Sequence, residues 1–267
     1  MLKTRIKIIY QDDDALVINK PAGVSVTKDR SGAADLVDIL ARQLGAQVSS
    51  KLCLVHRFDK DTSGVMILAR NAEAQSLFSG YFAKKHVKKT YLAIVTGKVP
   101  ARQGTIDAPL ARYRKNTQLM CVDHKKGKES MTDWKLLADF GTATLLAVQP
   151  LTGRTHQIRV HLPSIGLPLA IDPLYGANRY LFLSDFKSDY RLGKGQTEKP
   201  LINRLTLHAY QVQLPPSRSN CPEYFIADLD KKFAATIKLL TKHNPKGLDA
   251  FLNPDDFYTI INTQKLY

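Results

Sequence analysis

Residues 65–69, with the sequence VMILA, are five consecutive apolar residues between a polar segment and a turn. The run lacks the alternation of a strand with one face in water, and it is typical of a strand that is covered on both faces of its sheet. Further strand-like patterns follow it as far as residue 148. The middle of the chain is therefore predicted to be mostly sheet, with its interior strand fully covered.

Turn residues and periodicity predict further elements around this run. The predicted strands are a pair within residues 6–18, a strand at 90–95, a hairpin of 134–138 with 142–148, and a strand at 205–214. The predicted helices lie within residues 31–45, after Asn71 as the N-cap, and at 233–240. Residues 175–203 are polar and are predicted to form a surface insertion.

The segment from residue 155 to 165 fits both a strand and a helix. Ile158, Leu162 and Ile165 recur at helical spacing, and Gly166 follows them as a stop signal. The helix is preferred, with Thr155 as its N-cap and with the proline at position 163 tolerated as a kink.

Positive charge is in large excess. Lys and Arg number 39 against 24 Asp and Glu, which gives a formal net charge of +15. Such an excess is typical of proteins that bind a polyanion, and nucleic acid is the leading candidate. Charge also serves solubility alone, so motifs have to decide between the two interpretations.

The three cysteines, Cys53, Cys121 and Cys221, are odd in number and far apart, which argues against a disulfide framework and a paired-cysteine zinc site. The sequence has no run of about 18 apolar residues, as a membrane helix would need. It also lacks the apolar core, about 7–15 residues long, of a signal peptide. The expected location is the cytoplasm, with reduced thiols and no membrane partner.

Two polar clusters could carry chemistry. Residues 56–64 (HRFDKDTSG) place two acids and several cations directly before the apolar run, and residues 151–161 (LTGRTHQIRVH) place two Arg and two His around a possible helix start. Taken alone, each also fits a solvated loop or cap. The two histidines of the second cluster are five apart, which is the wrong spacing for a metal pair on one helix face, so no metal site is predicted.

Two basic runs, residues 84–89 (KKHVKK) and 124–128 (HKKGK), can neutralise phosphates, and together with the net charge they predict salt-sensitive binding of nucleic acid. Either run alone also fits an ordinary solvated loop.

Five motifs occur in order along the chain. They are NKPAG at residues 19–23, HRFD with TSG at 56–64, KTYLA at 89–93, TGRTHQIR at 152–159 and LHA at 207–209. In this order and at these spacings the chain resembles the RluA-type family of pseudouridine synthases over nearly its whole length. Five ordered matches arise by chance far more rarely than one.

The resemblance implies that Asp59 is the catalytic aspartate and that Tyr91 stacks on uracil. It implies that Arg57 helps to displace the target base and that Arg159 pairs with Asp59, whose charge needs a cation in a closed pocket. The reaction breaks the glycosidic bond of uridine, turns the base and rejoins it through carbon 5 without redox chemistry. A carboxylate suffices for this, so no cofactor is expected.

RNA, either ribosomal or transfer RNA, is the implied partner, and no obligate protein partner is indicated. The target base would leave its stack at a cost of roughly a few kcal/mol, and an aromatic face contributes about 1–3 kcal/mol per stacked base. Further substrate- or RNA-binding residues are expected in the motifs and in the first basic run: His56, Thr62, Arg154, Lys84, Lys85, Lys88 and Lys89.

By resemblance the fold is α+β, one catalytic domain over residues 1–267 with a mixed, mostly antiparallel, bent central sheet flanked by helices. The chain departs from the family pattern at Phe58, where Leu is commoner, and at Ile171, where Gly usually precedes Asp172. No small RNA-binding domain is expected ahead of residue 1.

Two alternative functions remain open at the level of sequence. The first is an RNA-binding protein without catalysis. The second is a metal-dependent phosphohydrolase that would use Asp59, Asp61 and the histidines.

Overall fold

The computed structural model describes residues 5–28, 32–45, 51–176, 180–187, 189–193, 195–216 and 221–243. The chain divides into two compact units. Among the described residues, unit 1 comprises those from 5 to 91 and from 208 to 229, and unit 2 comprises those from 92 to 207 and from 230 to 243. The resemblance predicts a single catalytic domain, and the division into two compact units does not test that prediction.

The described residues form strands and helices that are named here in chain order. The strands are β1 (Lys7–Gln11), β2 (Ala15–Lys20), β3 (Cys53–Leu54), β4 (Ser63–Ala69), β5 (Lys88–Val95), β6 (Gln103–Asp107), β7 (Leu110–Arg112), β8 (Met120–Val122), β9 (Met131–Asp139), β10 (Thr144–Pro150), β11 (Leu207–Gln213) and β12 (Tyr224–Ile226). The helices are α1 (Leu36–Leu44), α2 (Ala72–Ala83), α3 (Gln157–Ser164) and α4 (Lys231–Lys242).

In unit 1 the strands lie in the order β1-β2-β4-β11, with β3 also paired to β4 and β12 to β11. The β4–β11 pair is parallel, whereas the β1–β2, β2–β4, β3–β4 and β11–β12 pairs are antiparallel. Every residue of β4 is buried, which confirms the prediction from its apolar run. The sheet is thus mixed and mostly antiparallel, and the α+β class is confirmed.

Strand β4 divides the core of unit 1 between its two faces. Val65, Ile67 and Ala69 belong to one buried cluster together with residues of α2, and Met66 and Leu68 belong to another with residues of α1. Successive side chains of a strand point to opposite faces, so packing on both faces explains why residues 65–69 of β4 are apolar without alternation. Each fully buried Leu or Ile contributes about 1.5–3 kcal/mol to this packing.

The predicted helix starts of unit 1 follow from side-chain caps. Asn71 accepts a hydrogen bond from the backbone N–H of Ala74 (2.8 Å), which confirms it as the N-cap of α2. Helix α1 begins after Asp35, whose carboxylate accepts from the N–H of Asp38 (2.9 Å). Caps of this kind satisfy backbone N–H groups that the first turn of a helix leaves unpaired.

In unit 2 the strands lie in the order β5-β10-β9-β6, and β7 and β8 form a separate antiparallel pair. The predicted hairpin is confirmed as β9 and β10, with β9 longer than expected and β10 displaced by two residues, and the N–H of Phe140 donates to the carbonyl of Ala143 (2.8 Å) at the turn. Within residues 175–203, Leu181 and Ile202 form a bridge and are both buried. The assignment of this region as a surface insertion stays a prediction.

The helix predicted near residue 155 is confirmed as α3, but its predicted cap is wrong. The N-cap is His156 in the left-handed region (φ 54°), and Thr155 is exposed. The His156 side chain makes no cap hydrogen bond. The segment before the helix is fixed by the side-chain oxygen of Gln157, which accepts from the backbone N–H of Arg154 (2.9 Å) and from the Thr152 hydroxyl (2.7 Å). Pro163 lies inside the helix, as expected.

Among the described residues, no helix has the length and apolarity that crossing a membrane requires.

Candidate active site

The loop that carries Asp59 connects β3 to β4 and is fixed by hydrogen bonds to its backbone. The carbonyl of Asp59 accepts from the N–H of Thr62 (3.1 Å). The carbonyl of Lys60 accepts from the N–H of Gly23 (2.9 Å) and from the ammonium of Lys20 (2.9 Å). The backbone on the C-terminal side of Asp59 is therefore tied to the NKPAG segment, and the Asp59 side chain is partly exposed.

Lys20 is fully buried and is the anchor of this connection. Its Nζ donates to the carbonyls of Pro21 (3.0 Å), Val24 (2.7 Å) and Lys60 (2.9 Å), and it lies 5.3 Å from the centroid of the Phe58 ring. A buried ammonium is costly unless its three donors find acceptors, and three carbonyls meet that requirement. Sequence reasoning found the NKPAG motif but missed this role of its lysine.

The start of β4 is tied down in a second place. The Ser63 hydroxyl lies 2.9 Å from Nδ1 of His208, and Nε2 of His208 lies 3.1 Å from the carbonyl of Ala227, so Nε2 carries the proton and Nδ1 accepts. The next residue, Gly64, has φ 122°, and a Cβ there would overlap the carbonyl oxygen of Ala209. The TSG and LHA motifs are thus two halves of one contact between β4 and β11.

Asp59 and Tyr91, which the resemblance names together, act on each other electrostatically in unit 1. Burial and the negative charge of Asp59 both raise the pKa of the Tyr91 phenol above its ordinary value of 10. The phenol is therefore protonated at neutral pH. The expected role of Tyr91 in stacking on uracil stays a prediction.

His56 supports the same loop from the side of α2. Its Nε2 accepts from the N–H of Ile67 (3.0 Å), and its ring stacks on Phe82 with centroids 4.3 Å apart. Burial and the positive charge of Lys89 lower the pKa of His56 to about 3. The imidazole is neutral at physiological pH with its proton on Nδ1, and its expected role toward RNA stays a prediction.

The remaining residues expected to bind RNA in unit 1 differ in exposure. Arg57, Lys84, Lys85 and Lys88 are exposed, and burial lowers the pKa of the partly exposed Lys89. Thr62 is fully buried, and its hydroxyl has no hydrogen-bond partner within the described ranges. The three exposed lysines are available for phosphate contacts, whereas Lys89 and Thr62 face the interior.

In unit 2, Arg159 forms a buried ion pair with Asp172. Its Nε and Nη2 donate to the two carboxylate oxygens at 2.8 Å and 2.7 Å, and both side chains are at most 3% exposed. Asp172 also accepts from the N–H groups of Leu174 (2.9 Å) and Tyr175 (3.2 Å). A bidentate pair with further hydrogen bonds holds the guanidinium in one orientation. The pairing of Arg159 with Asp59 stays a prediction.

Tyr175 and His156 complete this group, and sequence reasoning missed Tyr175. The Tyr175 ring lies 5.3 Å from Cζ of Arg159, and its hydroxyl lies 2.7 Å from Nδ1 of His156. Arg154, expected to bind RNA, is exposed and donates from Nε to the carbonyl of Glu129 (3.1 Å). Asp172 could have been recognised as a site residue from the sequence, because the family pattern includes an aspartate at this position, directly after Ile171.

Comparison with known proteins places this geometry in a family. Residues 14–164 match the RNA pseudouridylate synthase family. The chain is 37% identical over 228 residues to ribosomal large subunit pseudouridine synthase C of Buchnera aphidicola, covering 85% of this chain and 68% of the relative. It is 32% identical over 253 residues to ribosomal large subunit pseudouridine synthase D of Borreliella burgdorferi, covering 91% and 71%.

A solved structure shares the fold. Human RNA Pseudouridylate Synthase Domain Containing 4 superposes with a TM-score of 0.66 at 26% identity, covering 88% of this chain and 92% of that chain. Fold and sequence together define the class as RNA isomerases. The chain belongs to the RluA-type family of RNA pseudouridine synthases.

Proposed function

We propose that this pseudouridine synthase modifies ribosomal RNA in the cytoplasm, with Asp59 as its catalytic carboxylate. Relatives at 37% and 32% identity carry names that specify the ribosomal large subunit, which supports ribosomal RNA over transfer RNA. The observation that carries the choice of Asp59 is its place in the HRFD motif, on a loop whose backbone is held by Gly23 and Lys20, and the effect of its charge on the pKa of Tyr91 agrees with this choice.

In this proposal Asp59 acts on the nucleoside as a nucleophile or as a base, and the glycosidic bond between ribose and uracil breaks. The detached uracil, which keeps the bonding electron pair on N1, stays stacked on Tyr91 while it turns. Carbon 5 then forms the new bond to C1′ of the ribose and loses its proton, and N1 takes up a proton, so that the product is an isomer of uridine. Arg57, which is exposed two residues before Asp59, fills the place of the extruded base. Arg159 pairs with Asp59 and stabilises its charge.

The proposed RNA contacts follow the exposed positive charge. Lys84, Lys85 and Lys88 lie on the surface beyond α2, where they can neutralise phosphates, and Arg154 is exposed in unit 2. His56, Thr62 and Lys89 contribute from the interior, by holding the loop of Asp59 and the start of β5.

The direct test compares two neighbouring carboxylates. Asp59→Asn keeps the size of the side chain and removes its charge, and Asp61→Asn is the matched control two residues away. Pseudouridine is mapped in total RNA from cells that contain the parent protein, each variant or no protein. We expect Asp59→Asn to lose every site that depends on the protein, and Asp61→Asn to retain them.

Two outcomes would contradict the proposal in different ways. RNA that the parent binds but never modifies would indicate an RNA-binding protein without catalysis. Full activity of Asp59→Asn would move the catalytic role to another residue.

Formation of pseudouridine in excess EDTA is also expected, and chelator-sensitive hydrolysis of a phosphate ester would favour the phosphohydrolase alternative.

A further inference from the structure

Tyr175 connects three parts of unit 2, and no role described so far requires it. Its hydroxyl oxygen accepts a hydrogen bond from the backbone N–H of Met120, the first residue of β8 (2.8 Å). The same hydroxyl lies 2.7 Å from Nδ1 of His156, directly before α3, and the ring faces the guanidinium of Arg159. The backbone N–H of Tyr175 donates to Asp172, the ion-pair partner of Arg159.

The strand that Tyr175 contacts belongs to a hairpin with positive charge at both ends. Residues 112–118, which join β7 to β8, are all exposed and include Arg112, Arg114 and Lys115. The side chains of His124, Lys125 and Lys126, just beyond β8, are exposed as well. A hairpin with this charge can bind the phosphates of RNA at either end.

The backbone at the start of α3 is strained, and Tyr175 helps to hold it. His156 has φ 54°, a left-handed conformation that is unfavourable for a residue with a side chain. Strained residues persist where their surroundings fix them, and they cluster at functional sites. Here the His156 ring meets the Tyr175 ring edge-on at 5.5 Å in addition to the hydrogen bond.

We propose that Tyr175 is a positioning residue that couples RNA binding at the β7–β8 hairpin to the orientation of the Arg159 guanidinium. The inference rests on the proposed function, because it needs RNA as the ligand and Arg159 in the active site. Asp172 holds one edge of the guanidinium and the Tyr175 ring lies against its face. A shift of β8 on binding RNA therefore moves the Tyr175 hydroxyl, and the ring moves with it.

The first experiment removes only the hydroxyl. Tyr175→Phe keeps the ring beside Arg159 and loses the hydrogen bonds to Met120 and His156, and Tyr190→Phe is the matched control in the same unit. We expect Tyr175→Phe to lower the single-turnover rate of pseudouridine formation at saturating RNA about tenfold, the equivalent of one hydrogen bond to a positioned group. RNA affinity is expected to match that of the control, and the thermal unfolding midpoint is expected to fall by only about a few degrees, because the variant leaves the backbone N–H of Met120 without this acceptor.

The second experiment tests the coupling with a double-mutant cycle. Replacing Lys125 and Lys126 with Ala is expected to lower both the RNA affinity and the saturated rate of the parent. In the Tyr175→Phe background the same replacement should lower the affinity only. If the lysine replacement lowers the saturated rate by the same factor in the parent and in Tyr175→Phe, the two sites act independently and the coupling is contradicted.

The failures of the two proposals can be told apart. A parent protein that forms no pseudouridine contradicts the proposed function and this inference with it. An active parent whose rate is unchanged by Tyr175→Phe contradicts only the positioning role. A Tyr175→Phe variant whose rate and unfolding midpoint fall together, with normal activity at low temperature, shows that the residue is structural.

Discussion

Two polar side chains beside the loop of Asp59, the Lys20 ammonium and the His56 imidazole, use their hydrogen-bonding groups on backbone atoms. Lys20 donates to three carbonyls, and His56 accepts from the N–H of Ile67. His56 is also neutral, since its pKa lies near 3. Both groups therefore position the loop, and the neutral His56 ring does not act as an acid near neutral pH.

Tyr91 provides a prediction at the same scale. Tyr91→Phe keeps the aromatic face, so we expect unchanged RNA affinity with slower product release. Tyr91→Leu removes the aromatic face, so we expect both a lower RNA affinity and slower product release. The loss of one stacked base, about 1–3 kcal/mol, corresponds to a change in affinity of roughly 5- to 150-fold. The measurements are RNA binding by filter retention and the rates of product formation and release.

The pH dependence sharpens this prediction. Because burial and the charge of Asp59 raise the pKa of Tyr91 above 10, the phenol is protonated below that pH. The parent and Tyr91→Phe should therefore have pH–rate profiles of the same shape between about pH 6 and 9. A basic limb that is present in the parent and absent from Tyr91→Phe would show that the phenol loses its proton during the reaction.

Individual site residues were only partly predictable from the sequence. Asp59 and Tyr91 could be named because each lies in a short motif, and unit 1 brings them into electrostatic contact. The ion pair between Arg159 and Asp172 was not expected, since residues 13 apart on different segments meet only after the chain has folded. Tyr175 was missed for the same reason.

The pairing of β4 with β11 depends on one glycine. Gly64→Ala would place a Cβ on the Ala209 carbonyl oxygen in a left-handed conformation, and we expect a loss of about 3 kcal/mol or more in the free energy of unfolding. Gly80→Ala is the matched control, because Gly80 lies in α2 and a Cβ added there would contact no atom within 4 Å other than those of its chain neighbours and the nearby helix backbone. It should stabilise the protein by up to about 1 kcal/mol.

Urea unfolding of the two alanine variants is the measurement. Equal stabilities would contradict the close approach of the strands at Gly64. Pseudouridine formation by Gly64→Ala should also fall, because the residue lies five positions after Asp59 and its shift displaces the end of the catalytic loop.

Elements were more predictable than single residues, because hydrophobic periodicity and caps act locally. The strand pair of β1 and β2, the β9–β10 hairpin and the N-cap at Asn71 are confirmed. The Thr155 cap was wrong because the helix begins one residue later, with His156 as its N-cap in a left-handed conformation. Strand order was beyond the sequence pattern, since the parallel pairing of β4 with β11 joins segments about 145 residues apart.

At the scale of the whole molecule, the effect of the net charge of +15 on RNA binding depends on where the charged residues lie. Charge that faces phosphates releases counterions on binding, and charge elsewhere only raises the general attraction to RNA. Lys84, Lys85 and Lys88 form an exposed group close in sequence to Tyr91, whereas Lys231, Lys238 and Lys242 are exposed on α4. Replacing either group with alanine lowers the formal charge by three, from +15 to +12.

These two triple variants separate local from general electrostatics. If the first group contacts phosphates, its loss should reduce the slope of log affinity against log salt concentration by about 2–3, at roughly 0.7–0.9 per phosphate. Loss of the α4 group should lower the affinity slightly and leave the slope unchanged. RNA binding is measured over a series of salt concentrations, and equal slopes for the two variants would mean that residues 84–88 do not contact the RNA backbone. Lys89 is left intact in both variants because burial lowers its pKa, and its loss would also disturb His56.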